Sequence, residues 1–265
     1  MKKIRIDILL VERGMVDSRS KAQRLVMAGQ IRVNDQVVQK PSVSFPADVD
    51  ISIDTGQNYV SRGGEKLRAA LESFKIEVGG LVCADVGAST GGFTDCLIQH
   101  GAAKVVAIDV GKGILDWKLR QNQKVVVLEG VNARNLQQLP AAIDLATIDV
   151  SFISSKVLLP VVRKWFRDSG GQVILLIKPQ FEAGKSEVSR GKGVIRDPVV
   201  HQHVLKDVLE FAQDLQYQIK GLIQSPLLGP KGNKEFLAWL ASSIHNRLDV
   251  DFFINPLFND PQSLG

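Results

Sequence analysis

Asp149 and Lys178 each sit at the end of a short apolar run that reads as a β-strand. The segment Leu145-Ala146-Thr147-Ile148-Asp149-Val150-Ser151 delivers the aspartate, and Val173-Ile174-Leu175-Leu176-Ile177 delivers the lysine. Ligands of open α/β sheets bind outside the carboxyl ends of the strands, so this spacing brings an acid and an amine to one edge. A lysine acts as a base only once its own proton has gone, which desolvation or a second cation favours. Lys66, in Arg62-Gly63-Gly64-Glu65-Lys66-Leu67, is a candidate for that second cation. Nearby carboxylates pull the other way: they favour the ammonium present after proton transfer and orient the side chain, a part open to Asp149 and Glu235. The chemistry within reach of such groups is deprotonation of a weakly acidic hydroxyl, which general base catalysis accelerates by about 10² to 10⁴-fold.

A second constellation precedes these strands. Leu81-Val82-Cys83-Ala84-Asp85-Val86 is an apolar run ending in an acid, followed by Gly87-Ala88-Ser89-Thr90-Gly91-Gly92-Phe93-Thr94-Asp95 and a helical pattern of about a dozen residues. Strand, glycine turn and helix bring backbone amides close to a bound nucleotide-like ligand, and a side chain at the glycines would collide with it. The spacing is neither G-x-G-x-x-G nor G-x-x-x-x-G-K-[ST], so a phosphate cradle is disfavoured. The D-x-G-x-x-x-G-G loop resembles the first motif of Rossmann-like methyltransferases, which makes Asp85, Gly87, Ala88, Ser89, Gly91, Gly92 and Phe93 candidates for holding S-adenosyl-L-methionine. About 20 residues on, Val105-Val106-Ala107-Ile108 ends in Asp109, placed to accept from ribose hydroxyls or to cap a helix. A third strand, Val125 to Leu128, leads to Glu129 and Asn132, which fall either at an adenine contact or in an ordinary loop. Strands alternating with helices through residue 178 imply a mostly parallel, doubly wound sheet.

The elements ahead of this domain have a different pattern. Ile6, Leu9 and Leu10 with Arg13-Gly14 read as a short amphipathic helix, and Ser18 caps a second helix whose stripe is Ala22, Leu25 and Val26, stopped by Gly29. Ile31 to Val33 and Gln36 to Val38 flank a turn at Asn34-Asp35, and Val49 to Ile53 alternates as a half-buried strand does. Residues 1–45 hold nine Lys/Arg against four Asp/Glu, so the remainder is balanced at 24 of each and the net charge of +5 resides in this segment. Such asymmetry is the footprint of a phosphate-binding module. Arg5, Arg19, Lys21, Arg24 and Arg32, with Arg62 further on, are the candidate RNA contacts; side chains of this kind anchor a backbone without reading sequence. The segment RIDILLVERGMVDSRSKAQRLVMAGQIRVNDQVV resembles the alpha-L RNA-binding motif. The expected organisation is an RNA-binding module and linker over 1–58, a methyltransferase domain over 59–241 and a tail over 242–265.

Residues 59 to 240 resemble the FtsJ-like ribose methyltransferases. The whole chain, through YVSRGGEKL, DVGASTGGFTD, ATIDVSFIS, LIKPQFEAG and KGNKEFL, is similar to the TlyA family of haemolysin-named rRNA methyltransferases. The resemblance implies a Lys-Asp-Lys-Glu tetrad formed by Lys66, Asp149, Lys178 and Glu235, with Lys178 as general base. It also implies methylation of a cytidine 2′-hydroxyl in large-subunit rRNA, in some members also small-subunit rRNA, affecting sensitivity to cyclic peptides such as capreomycin. The partners implied are ribosomal RNA and ribosomal subunits; no oligomeric state follows.

Other chemistries fit less well. Carbon methylation of cytosine needs a nucleophilic cysteine near the cofactor, yet Cys83 falls inside a strand and Cys96 inside a helix. Amine methylation favours an Asn/Asp-Pro-Pro-aromatic turn where this chain has Asp149-Val150-Ser151-Phe152. The cysteines show no ligand spacing, so no metal is expected, and no apolar run nears the ~18 residues of a membrane helix. A cytoplasmic protein without a membrane partner is the expectation, against two rivals: a non-catalytic rRNA-binding assembly factor and a membrane-lytic haemolysin. Gly184 to Pro198 reads as a lid, Asp197-Pro198 as the start of a helix to about Gln213, and His201 and His203 as solvated.

Overall fold

The computed structural model describes residues 3–34, 36–53, 58–184, 187, 191, 193–242 and 247–259. The chain divides into two compact units, Met1–Asn58 and Tyr59–Gly265.

The first unit is a small α+β fold. Strand β1 (Lys3–Arg5) runs into α1 (Ile6–Glu12), and α2 (Arg19–Met27) follows, its first turn capped by Ser18 Oγ, which accepts from Lys21 N at 3.3 Å. β2 (Ile31–Val33) pairs antiparallel with β3 (Gln36–Val38) across a two-residue turn. Its Asn34 takes a positive φ of 48°, a conformation that asparagine tolerates, while Asp35 lies outside the described residues. β4 (Ser44–Pro46) pairs with β1, a contact the apolar pattern did not reveal, and β5 (Ile51–Ile53) completes a β3-β2-β5 sheet. Ile6, Leu9, Leu10, Ala22, Val26 and Ile31 form its core. Of the expected linker at residues 54–58, only Asn58 is among the described residues.

The second unit is a doubly wound α/β domain. Its helices are α3 (Gly63–Phe74), α4 (Gly92–Gln99), α5 (Trp117–Arg120), α6 (Leu159–Arg163), α7 (Pro179–Glu182), α8 (Pro198–Asp214), α9 (Asp251–Ile254) and α10 (Pro256–Asn259). Its strands are β6 (Val82–Val86), β7 (Lys104–Asp109), β8 (Val125–Glu129), β9 (Leu145–Ile148), β10 (Gln172–Ile177), β11 (Tyr217–Gln224) and β12 (Phe236–Ser242). They line up as β11-β12-β10-β9-β6-β7-β8, parallel from β10 to β8, with β12 antiparallel to both neighbours. Strands covered on both faces read as continuous apolar runs. Thus Ala84, Val86, Ala146, Ile148, Leu175 and Ile177 face one core with α8, and Cys83, Leu145, Ile174 and Leu176 face another with α3 and α4.

Three expectations change here. The helix after the glycine loop is eight residues long, not a dozen. The segment read as a tail contributes Val250 and Ile254 to the core. His201 is buried rather than solvated, packed on Phe236 and donating from Nε2 to the Ile195 carbonyl at 3.1 Å; burial pushes its pKa down. Of this pair His203 is exposed, because two residues along the helix turn it about 200° from the buried face.

Candidate active site

Strand register explains how residues far apart in sequence meet. Ile177 pairs with Phe236 in the antiparallel β10–β12 ladder, so the residues one step beyond, Lys178 and Glu235, share a level at the sheet edge. Val86 pairs with Ile148 in the parallel β6–β9 ladder, so Gly87 and Asp149 do likewise. The approach there is close: a Cβ on Gly87 (φ 86°) would lie 2.2 Å from the Asp149 carbonyl oxygen, so only glycine fits. This edge lies where strand order reverses between β6 and β9, the position that binds ligands in such sheets.

The four charged residues form two ion pairs. Lys178 Nζ lies 2.5 Å from Asp149 Oδ1, a charge contact without hydrogen-bond alignment, and donates to Ser151 Oγ at 3.1 Å. Lys66 Nζ donates to Glu235 Oε2 at 2.5 Å, and that carboxylate's side chain is 0% exposed. Gln180 Nε2 donates to the other oxygen, Oε1, at 3.2 Å. Helix α7 is pinned by Glu182, which accepts from Ser154 Oγ at 2.5 Å and Ser155 N at 2.7 Å, so the strand ends carrying Asp149 and Lys178 are tied together.

Lys66 is positioned by the segment that precedes it. Val60 N donates to Asp95 Oδ2 at 2.9 Å, and Gly64 packs so closely on the buried Tyr59 ring that a Cβ would lie 2.2 Å from it. A Cβ on Gly92 would meet Ser61 Oγ, also at 2.2 Å. The glycines at 64 and 92 therefore let the 59–64 segment lie against the start of α4.

Two cavities open at this edge. One, about 420 Å³, is lined by Gly87, Ser89, Asp109, Val131, Asn132, Asp149 and Phe152 among others. The second, about 250 Å³, is lined by Arg62, Lys66, Ala88, Gly92, Phe93 and Leu228 among others. Gly87, Ser89 and Asp149 line both, so the two meet beside the Lys178–Asp149 pair. Asp109 accepts from Ser89 N at 2.8 Å on one oxygen and from Gly111 N at 2.7 Å on the other. Each carboxylate oxygen has two acceptor directions, so capacity remains for a pair of hydroxyls.

The remaining candidates divide. Asp85 is fully buried beneath the turn and accepts from Thr94 Oγ1 at 2.6 Å and Thr147 Oγ1 at 3.1 Å; burial pushes its pKa up to about 6 despite those bonds. Gly91 lines neither cavity; at φ 97° it packs against Leu119 and Leu115. Glu129 also lies outside both linings. Its oxygens take Arg120 and the backbone amides of Gly113, Ile114 and Leu115, and the Arg120 guanidinium, foremost, draws its pKa down to about 2. Asp85, Gly91 and Glu129 thus shape the loops around the cavities without lining them. Asn132 lines the larger cavity while its Oδ1 accepts from Arg134 N at 3.1 Å.

In the first unit Lys21, Arg24 and much of Arg19 are exposed. Arg5 and Arg19 share a partner, Asp7, that the sequence pattern did not single out. The buried Asp7 accepts a bidentate pair from Arg5 at 3.0 Å, Arg19 Nε at 3.0 Å and Gln23 Nε2 at 2.9 Å. The Arg5 guanidinium, foremost among these donors, holds its carboxyl well below the usual range. Part of the hydrogen-bonding capacity of both arginines is therefore spent within the unit. Arg32 lies on β2, and Arg62 is exposed where it lines the smaller cavity. Of the segment read as a lid, residues 185, 186, 188–190 and 192 lie outside the described residues.

Sequence reading also missed Ser151 and Gln180 as partners of the charged pairs, and Asn233, whose buried side chain accepts from Ile195 N at 3.0 Å and donates to the Gly193 carbonyl at 3.1 Å. Single polar residues in loops carry no periodic signal. Phe152 is 91% exposed at φ 66° and lies 5.0 Å from the Phe181 ring, centroid to centroid.

Among known families, the FtsJ-like methyltransferase model matches residues 59–242 and the S4 domain model matches residues 4–45. YqxC of Bacillus subtilis is 45% identical over 245 residues, which is 90% of this chain and 86% of that one. The 16S/23S rRNA (cytidine-2'-O)-methyltransferase TlyA of Mycobacterium tuberculosis is 42% identical over 254 residues, 94% of each chain. A solved structure of a hemolysin-named protein from Streptococcus thermophilus superposes with a TM-score of 0.73 at 39% identity, covering 97% of this chain and 96% of that one. No helix of the described residues is long and apolar enough to cross a membrane.

Proposed function

Because the chain belongs to the FtsJ-like methyltransferase family, we propose that it transfers a methyl group from S-adenosyl-L-methionine to the 2′-hydroxyl of a cytidine in ribosomal RNA. The observation that carries this reading is the Lys178–Asp149 pair at the meeting point of two cavities. The residues present fit the methyl donor: Asp109 has acceptor capacity for ribose hydroxyls, the turn at Gly87 leaves no side chain in the way, and Asn132 lies further along the same cavity. When bound, that donor supplies a methyl group on a sulfonium, which leaves behind a neutral thioether.

The protein's own residues do the rest. Lys178, as the free amine, takes the hydroxyl proton as the oxygen–carbon bond forms, and Asp149 stabilises the positive charge that the amine acquires. Glu235 holds Lys66 in the lining of the smaller cavity, where its ammonium can meet an anionic backbone. Phe152 presents an exposed ring at the rim of the larger cavity, suited to stack a base drawn out of its helix. The basic first unit supplies the wider grip on RNA through Lys21, Arg24 and the outer edges of Arg5 and Arg19.

The test is transfer of radiolabel from S-adenosylmethionine to ribosomal RNA or subunits, followed by mapping of the modified nucleotide. Label on a ribose oxygen supports the reading. Label on a base overturns the ribose assignment, and absence of transfer to every ribosomal substrate overturns the activity.

A further inference from the structure

Gln180 stands two residues beyond Lys178 and is 7% exposed, yet it belongs to neither ion pair. Its Nε2 donates to Glu235 Oε1, while Lys66 holds Oε2 of the same carboxylate. Only this orientation of the amide is compatible with an ionised glutamate, since the amide oxygen turned inward would set two acceptors against each other. Gly229 closes the space around the same oxygen: a Cβ there would lie 2.0 Å from Glu235 Oε1. Among the described residues the carboxylate therefore has one side-chain donor on each oxygen, and it cannot turn without losing one.

The backbone makes Gln180 a stiff link. Pro179 occupies the first position of α7, where its fixed φ suits the helix, and Glu182 pins the other end of α7 to Ser154 and Ser155. The same short segment thus carries Lys178 at one end and, through Gln180, grips the partner of Lys66. Gln180 Oε1 is buried without a hydrogen-bond partner among the described residues, a cost that packing alone gives no reason to bear.

We infer that Gln180 is a positioning residue for methyl transfer, setting the plane of the Glu235 carboxylate and through it the place of the Lys66 ammonium. It couples the two lysine–carboxylate pairs into one unit. The inference rests on the methyl-transfer reading of this site.

The experiment compares the full-length parent with Q180M, which keeps the volume and removes the donor, and Q180E, which keeps the shape and replaces the donor with an acceptor. Methyl transfer to ribosomal RNA, KM for RNA, Kd for S-adenosylmethionine and melting temperature are measured for each. In Q180M, kcat falls about 10²-fold while KM and Kd stay within about twofold. In Q180E the new acid faces Glu235 and Lys66, and a proton shared between the two acids relieves their repulsion, so its pH–rate profile moves toward lower pH than the parent's. A purely structural role lowers the melting temperature and leaves kcat and the profile alone. Parent-like kcat in Q180M overturns the inference; if Q180M does not fold, a parent-like rate and profile in Q180E does so. A parent chain that methylates no ribosomal RNA sinks the underlying activity, whereas an active parent with an unimpaired Q180M sinks the positioning role alone.

Discussion

Lys178 Nζ lies 2.5 Å from Asp149 Oδ1 although the two are carried by different strands, because both leave the sheet at its carboxyl edge and α7 ties those ends together. The pair stands where the cavity lined by Asp109 meets the cavity lined by Lys66. An amine there is within reach of both halves of the site.

Replacing Lys178 with alanine removes the proposed base and leaves the linings of both cavities intact. The expected loss in kcat is about 10²-fold or more, with cofactor affinity nearly unchanged. Single-turnover transfer together with calorimetric binding of S-adenosylmethionine checks this. Parent-like transfer would remove Lys178 from the role of base.

Lys66→Ala leaves the Glu235 carboxylate buried with Gln180 as its one side-chain donor among the described residues. Removing one partner of a buried pair costs about 3 to 5 kcal/mol, so K66A unfolds at markedly lower urea concentration than the parent. Adding Glu235→Gln to K66A removes the orphaned charge and restores stability without restoring transfer. Equal urea midpoints for parent and K66A would show that the pair is more hydrated than its burial indicates.

The exposed ring of Phe152 contributes little to the core, so F152A is expected to melt within a few degrees of the parent. Loss of one base–aromatic stack is worth about 1 to 3 kcal/mol, and KM for RNA rises accordingly, about 5- to 150-fold. Steady-state kinetics at varied RNA concentration decides the matter, and an unchanged KM would mean the ring does not meet the substrate.

Asp7 predicts the acid sensitivity of the first unit. Its folded pKa is depressed, so the carboxylate contributes stability above its unfolded value of about 3.9, and the contribution is lost as pH falls through the lower folded value. Hydrogen exchange over residues 3–53 should show protection falling on acidification, with D7N less protected at neutral pH and flatter in its pH response. For RNA binding, R24A changes an exposed side chain and should reduce the slope of log affinity against log salt by about one. An unaltered slope would place Arg24 away from the phosphates.

Much of this was legible in the residues themselves. The apolar runs ending in Asp85, Asp109, Asp149 and Lys178 announced buried parallel strands, and the Gly87–Gly92 turn announced a close approach by backbone. Strand β4, strand β11 and the docking of Val250 and Ile254 were not legible, since their residues acquire a buried face only from partners distant in sequence. The same holds for His201: its neighbours in sequence do not disclose that Phe236 and Phe258 will close over the ring.

Local pattern by itself determined which residues reach the carboxyl edge, because side-chain alternation and turn chemistry act over a few residues. Which of them touch was decided by the fold. The register of β10 on β12 brings Glu235 level with Lys178, and the packing of glycines 64 and 92 sends Lys66 to that glutamate. Asp7 shows the same division, since its charge is evident from the residue type while its three donors come from positions 5, 19 and 23 only once the helices pack. Ion pairs and buried hydrogen bonds depend on distances of a few ångströms between segments, and those distances exist only in the folded chain.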